Sequence, residues 1–518
     1  MFRTLPASFL PMPRGAVPAL IAFGAVLVLT ARGGGFLAET WGWAALPLLL
    51  VTIVALVASG DLALGRGQAA ALLLLAGVVA WTALSALWAP SPGDPLLEAE
   101  RTTIYLAAVA AVLFTGSRAS TDRIAAGVLA ACFAVCAWAL WGKLVTHHGV
   151  PTTGSDAGRL AGPVGYSNGL GLIAAIGILL ALGFAARTHW TAAALVVLGP
   201  AFVLTYSRGS WVALGAGLLV LGATRIRDRR TIRFASAVVA ALALAGAAVA
   251  LHGGHAASRL ASASSSGRSA YWHVALDEAR AHPLVGGGAG TWARWWLQRR
   301  PNIDNALDAH SLYLETLAEL GAAGLLLLLA ALAVPLLALR RRPSATTAAC
   351  GAGYVAFLVH AVLDWDWELP AVALVGLLCG SALLADESRS LRLGSRARLA
   401  LLTAALAVGG GVFVLQVGNS ALAAGDSARD RGELARALTD ARRAHDWQPW
   451  STRPQLELGE ARLAAGDLSG AAQELEAALR RDPGDWELWY QLALATTGSR
   501  HRQAAGRAAA LNPRGPRP

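Results

Sequence analysis

AHSLYLETLAELGAAGLLLLL, residues 309–329, carries a histidine and two glutamates to the threshold of a long apolar run. That run continues to about residue 339 and reaches the ~20 apolar residues a helix needs to cross the hydrocarbon of a bilayer. Blocks of similar length recur along the 518-residue chain, which is 55% hydrophobic and only 14% charged. A soluble protein carries roughly a quarter charged residues. The apolar residues fall in continuous blocks, not in the short alternating segments of a membrane barrel. The pattern predicts an all-α protein: a polytopic transmembrane helical bundle of about 13 spans, followed by a soluble helical-repeat domain.

The expected spans lie near 16–31, 41–58, 68–88, 101–116, 123–144, 166–186, 190–205, 210–223, 234–251, 320–339, 347–363, 370–385 and 399–417. With a cytoplasmic N-terminus, the inside loops hold Arg66, Arg118, Arg123, Arg187, the cluster Arg225 to Arg233, Arg340–Arg342 and Arg389 to Arg398. The short loops on the other side are poor in Lys and Arg, so the positive-inside rule is met with an odd number of spans. This topology puts the large loop 252–319 and everything after residue 417 outside the cytoplasm, with His310 at the outer mouth of span ten. The expected division is 1–60 for the N-terminal transmembrane helices, 61–417 for the main membrane domain, and 418–518 for an extracytoplasmic repeat domain.

The same topology accounts for the net charge of +11: the basic residues sit in short loops between apolar blocks, which argues against a nucleic-acid partner and for the lipid bilayer. The four cysteines, Cys132, Cys136, Cys350 and Cys379, lie inside apolar blocks and show neither disulfide nor metal spacing. Arg3 and Arg14 precede an apolar stretch without a small-residue cleavage site, which reads as a retained first helix.

After residue 418 the chain becomes charged and alanine-rich. Gly432/Gly466, Leu434/Leu468, Ala437/Ala471, Ala444/Ala478 and Pro449/Pro483 are each 34 residues apart. That period resembles the tetratricopeptide repeat; ALNP at 510–513 closes a third, shortened copy, and the first leading helix is expected to continue out of span thirteen. Such a tail serves either as a binding surface for an extracytoplasmic protein or as a packing module.

Polar residues on the expected outer side are the candidates for chemistry. Arg208 sits in TYSRGSW between two apolar blocks, where an unpaired charge is unfavourable. Arg268 opens an expected amphipathic helix over 268–281 and shares a face with Trp272, Ala275, Leu276 and Ala279, which implies an inward partner. Guanidinium groups present a planar fork of donors suited to phosphate oxygens. On a helix through 310, Tyr313 and Leu314 share the histidine's face, while Glu315 and Glu319 lie well round from it. GGGAG at 286–290, with Gly286 and Gly288, offers backbone N–H groups to an anion but lacks the Lys and Ser/Thr of a nucleotide loop. DWDWELP at 364–370 places Asp364 and Asp366 one turn or more beyond His360, either orienting a histidine or forming an interface belt. His147–His148 has no further obvious ligands, and the expected metal set is none.

Several of these segments together resemble the O-antigen ligase and polymerase family of membrane glycosyltransferases. They are R-x-x-G-x-x-x-x-x-N at Arg159–Asn168, Y-S-R-G at Tyr206–Gly209, GRSAYW leading to HPLVGGGAGTW at 267–292, AHSLYLETLAELG at 309–321 and HAVLDWDWELP at 360–370. The resemblance covers roughly residues 60–385; Ser311 stands where members often have Asn. It implies transfer of a glycan from an undecaprenyl-diphosphate carrier to a glycan, lipid or protein acceptor on the outer face of the cytoplasmic membrane, without a cofactor or metal. Polymerisation by the same chemistry is the nearest alternative, and a non-catalytic scaffold or transporter the more distant one. By the resemblance, Arg208 and Arg268 bind the diphosphate, His310 activates or orients the acceptor nucleophile, and Arg159 supports the site. Asn168, Tyr206, His282, Gly286, Gly288, Asp364 and Asp366 complete the expected substrate-binding set.

Overall fold

A computed structural model describes residues 16–59, 62–116, 120–151, 156–185, 189–225, 267–340, 343–388 and 390–518. The fold is all-α; among the described residues the only sheet is one antiparallel pair, β1 (Ala63–Leu64) with β2 (Leu391–Arg392). The membrane part contains α1 (Ala16–Thr30), α2 (Trp41–Ala58), α3 (Arg66–Leu84), α4 (Gly93–Thr115), α5 (Ser120–Trp141), α6 (Ser167–Ala185), α7 (Leu195–Leu204) and α8 (Arg208–Arg225). The large loop adds α9 (Arg268–Ala281) and α10 (Trp292–Arg299). Then come α11 (Leu312–Ala333), α12 (Ala345–Leu363), α13 (Pro370–Ala385) and α14 (Ser395–Asp430).

A helix occupies every expected span position except 234–251, which lies outside the described residues. Seven described helices are long and apolar enough to cross a membrane, and α1, α7, α8 and α13 are shorter apolar helices. Helix α4 carries Asp94, Glu98, Glu100 and Arg101 in its first turns. Helices α6 and α13 are buried along most of their length and form the centre of the bundle, with α5, α8 and α12 packed round them. Many of their buried residues are alanine and glycine, which suits helices in lipid, where close packing of small residues supplies the cohesion that water would otherwise drive.

The connections gather at two ends. At one, Gly34 meets Val164 and Leu369, Arg101 pairs with Glu368, and Arg294 reaches Asp94. At the other, β1 pairs with β2, Glu387 accepts the N–H groups of Gly67 and Gln68 at 2.9 and 3.1 Å, and Thr121 bonds Ala382. Helix α8 starts at the first end with Arg208, and α9 begins there again at Arg268.

The tail follows the expected plan. The 36 residues of α14 run from the bundle into the repeat region, where α14 pairs with α15 (Leu434–Trp447), α16 (Arg453–Ala464) with α17 (Leu468–Leu479), and α18 (Trp486–Ala495) with α19 (Gly498–Leu511). The turn glycines Gly432 and Gly466 both have positive φ, 76° and 80°. The tail docks on the large loop through Arg294, which pairs with Asp482 at 2.7 Å and with Asp94 at 2.9 Å.

Candidate functional site

Segments far apart in sequence build a cleft at the end that carries the large loop. The 156–168 segment is stitched to the end of α7: Leu160 N–H donates to the Leu204 carbonyl at 2.9 Å, and Arg159 Nε–H donates to the Thr205 carbonyl at 2.8 Å. The buried Arg159 also pairs with Asp156 at 2.5 Å and donates to the Asn168 side chain. Its guanidinium is thereby fixed on three sides. Directly after α7 the chain turns through Tyr206, at φ 49°, and restarts as α8 with Arg208 as its first residue. Ser210 braces this turn: its backbone N–H donates to Ser207 Oγ at 3.2 Å, and its hydroxyl donates to the Asn168 carbonyl at 3.1 Å.

Arg268 has the inward partner its position implied. Its Nη2 donates to Asp364 at 2.8 Å, and Asp364 is fully buried. Asp364 also accepts from Tyr166 Oη and Asn168 Nδ2, each at 2.7 Å. Burial would raise this carboxyl, but the neighbouring Arg268, His360 and His310 hold it below the usual carboxylate value. A charged acid therefore sits beneath the cleft, gripping Arg268, Asn168 and Tyr166 together. Arg268 Nε is buried with no hydrogen-bond partner among the described residues. The face of α9 is rotated from the expected one: Tyr271, Val274, Ala275, Glu278 and Ala279 are buried, whereas Trp272 and Leu276 are only partly covered.

His310 is not on a helix. Helix α11 begins at Leu312, and His310 sits in the preceding turn at φ 55°, so the helical-face argument that grouped it with Tyr313 and Leu314 does not apply. Glu315, expected to be remote, makes this turn: it accepts the Ala309 N–H at 2.7 Å and folds 308–310 back over the helix start. The imidazole lies against Tyr271, ring centroids 4.8 Å apart. Its Nδ1 lies 3.0 Å from the Asp308 carbonyl; a carbonyl only accepts, so Nδ1 carries the proton and Nε2 keeps a lone pair. Burial lowers the pKa of His310 below the ordinary 6.5, outweighing the opposite pull of Asp364. The ring is neutral at neutral pH and able to accept a proton.

Arg159, Asn168, Tyr206, Arg208, Arg268 and His310 line one cleft of about 950 Å³, together with Asp156, Tyr166, Tyr271 and Asp304. Other expected binding residues stand elsewhere. Asp364 lies behind the lining, as does Asp366, which pairs with His360 at 3.1 Å. His282 is exposed, edge-on to Trp295. Gly286 and Gly288 belong to a turn that is already filled. Gly290 and Trp292 N–H groups donate to the Glu319 carboxylate at 2.9 and 3.0 Å, and Gly288 N–H to the Glu319 carbonyl at 2.8 Å. The turn is a nest of N–H donors already filled by the chain's own Glu319 carboxyl. Gly286 has φ 75°, and a Cβ there would lie 2.1 Å from the Glu319 carbonyl oxygen.

Among the described residues, one group of acids is arranged as metal ligands could be: Asp308, Glu315 and Glu368, all buried, with donor atoms within 4.8 Å of one another. A guanidinium already supplies positive charge there. Arg101 contacts Glu368 at 2.6 Å and lies between the rings of Trp41 and Trp367, 5.5 and 5.1 Å from their centroids. Burial raises the Asp308 carboxyl well above its ordinary value; at Glu368 burial is overcome by Arg101, which keeps that carboxyl low. The three acids form one buried cluster beneath the His310 turn, and the backbone carbonyl of its Asp308 member holds His310.

Asp156, Tyr166, Tyr271 and Asp304 were not anticipated. Tyr271 falls inside the quoted GRSAYW, but its partners, Asp304 through its hydroxyl and His310 through its ring, lie more than thirty residues on.

Residues 192–329 match the family model for O-antigen ligase, and residues 428–495 match that for the tetratricopeptide repeat. No curated protein matches the chain. The two matches support an O-antigen ligase family protein with a tetratricopeptide tail, a membrane protein that processes glycans.

Proposed function

We propose that this O-antigen ligase-like protein transfers a glycan from an undecaprenyl-diphosphate carrier to an acceptor hydroxyl at the outer face of the cytoplasmic membrane. The observation that carries this reading is the convergence of Arg159, Arg208, Arg268 and His310 on one cleft. The charge pattern of the loops supports the orientation, with the N-terminus cytoplasmic and the cleft and repeat tail outside.

The chemistry follows from the groups present. The acceptor hydroxyl oxygen attacks the anomeric carbon while its proton passes to His310 Nε2. The bond from that carbon to the diphosphate oxygen breaks, and its electron pair leaves with the polyprenyl diphosphate. Negative charge grows on the leaving oxygen, and Arg208 and Arg268, held by the protein in advance, stabilise it. Arg159, with Asp156 and Asn168 fixed around it, holds the cleft wall. The imidazolium then returns its proton to solvent. A base within hydrogen-bond reach of the nucleophile and a pre-set cationic site for the leaving group are the minimum for this reaction. Polymerisation differs only in taking a second carrier-linked glycan as acceptor.

The test is complementation of a deletion strain with Arg268→Ala or His310→Ala, each shown to reach the membrane. The expected result is loss of the mature surface glycan and accumulation of carrier-linked glycan on the outer leaflet. A normal glycan profile with either variant refutes the reading; accumulation on the inner leaflet points to a transporter.

A further inference from the structure

The repeat tail and the large loop enclose a second cavity of about 1020 Å³, lined by Gln298 and Leu307 on the loop side and by Arg453, Asp485, Trp486 and Glu487 on the tail side. Ala306 lines both this groove and the cleft that holds His310. The partition between them is therefore the short segment around 304–306.

That partition is clamped from the tail. Arg300 Nη1 donates to the Ile303 and Asp304 carbonyls at 3.1 and 3.0 Å and to the Asn305 side chain, while its Nη2 donates to Asn512 in the tail at 2.8 Å. Trp296 Nε1–H donates to the Asp304 carbonyl at 2.8 Å. Arg514, beyond the last repeat helix, donates to the Arg300 carbonyl at 2.6 Å. From Asp304 the connection runs through the Tyr271 hydroxyl to the ring against His310. The tail thus fixes one wall of the cleft, and the groove it shapes lies immediately beyond that wall.

We infer that this groove is the subsite for the saccharide of the acceptor, the part of that molecule adjoining the hydroxyl that reaches His310. The identity of the occupant rests on the transferase reading. The lining suits sugar: a tryptophan face for the C–H side of a pyranose, with carboxylates and an amide within the same cavity to accept and donate hydroxyl hydrogen bonds. Asp485 and Glu487 are held in place, Asp485 by the Glu487 N–H at 2.9 Å and Glu487 by Arg453 at 3.1 Å. Side chains, not an open strand edge, supply the polar groups, which favours a saccharide over an extended peptide.

The experiment uses the full-length protein in detergent with His310→Ala as background, so that no turnover occurs. The probe is a set of oligosaccharides of two to eight sugars released by mild hydrolysis from the surface polysaccharide of the cell that makes this protein, titrated calorimetrically. Saturable binding is expected, weakened about tenfold or more by Trp486→Ala, as for loss of an aromatic anchor, and weakened also by Leu307→Ala at an exposed position. Absence of binding, or equal binding by parent and both variants, overturns the inference; so does displacement of the probe by an unglycosylated peptide. Because binding is read without transfer, failure of the transferase reading shows separately, as a wild-type protein that binds saccharide at Trp486 and transfers nothing.

Discussion

Two regions of the molecule collect hydrogen-bond donors for an anion, and they use them differently. In the glycine turn at 286–292 the donors are backbone N–H groups, and a carboxylate from α11, Glu319, ends among them. In the cleft the donors are guanidinium groups; Asp156 holds Arg159 from the side, and Asp364 holds Arg268 from beneath. Three arginines line it against two aspartates; Asp156 is engaged by Arg159, and Asp304 by the Tyr271 hydroxyl. The first arrangement is a staple between loop and helix, and its perturbation should appear in stability. The second is the proposed site, and its perturbation should appear in chemistry.

The largest expected effect separates these two outcomes. Arg268→Ala should lower the transfer rate by about 10²–10³, the usual loss when a pre-set donor to developing charge is removed. It also strands the buried Asp364, which costs about 3–5 kcal/mol of stability. The double variant Arg268→Ala/Asp364→Asn should recover much of the melting temperature and none of the rate. Recovery of both would move Arg268 from the chemistry to the scaffold.

Gly286→Ala comes next. Its φ of 75° and the 2.1 Å approach to the Glu319 carbonyl leave no room for a Cβ, and a loss of about 1–3 kcal/mol is expected from the strained backbone alone. A thermal melt that coincides with wild type would show that the turn can rearrange. Glu319→Gln should cost a similar ~1–3 kcal/mol, because one acceptor oxygen of the nest becomes a donor facing an N–H. Its transfer rate per folded molecule should follow the wild type.

The smallest effect is on pH dependence. A base must be neutral to work, and the His310 pKa is lowered from 6.5 by burial. The rate should hold through neutrality and fall only as pH drops through a value below 6.5. An acid limb above 6.5 in kcat/KM would mean that another group limits the reaction.

The sequence exposed what depends on local composition. Hydropathy put a helix at each expected position among the described residues, although α4 starts already at Gly93, α11 at Leu312, and α14 runs on to Asp430; the 34-residue spacing marked the tail, and the position of Arg268 on its helix announced a buried partner. What depends on distant contacts did not show. Nothing local says that Glu319 will fill the turn at 286–292, about thirty residues upstream, or that Glu315 will fold the His310 turn back. The helical-face reading of His310 went wrong because periodicity cannot locate a helix start; Ser311, extended at φ −161°, marks the boundary. Tyr271 and Asp304 acquire meaning only once α9 lies against the 304–310 segment.

The most direct measurement is transfer by the purified full-length protein from a synthetic polyprenyl-diphosphate saccharide to a saccharide acceptor, with released polyprenyl diphosphate counted against glycosidic bonds formed. Wild type should release one carrier per bond, while folded His310→Ala and Arg208→Ala proteins should lose nearly all turnover. Wild-type rates from both variants would contradict the assignment of the cleft.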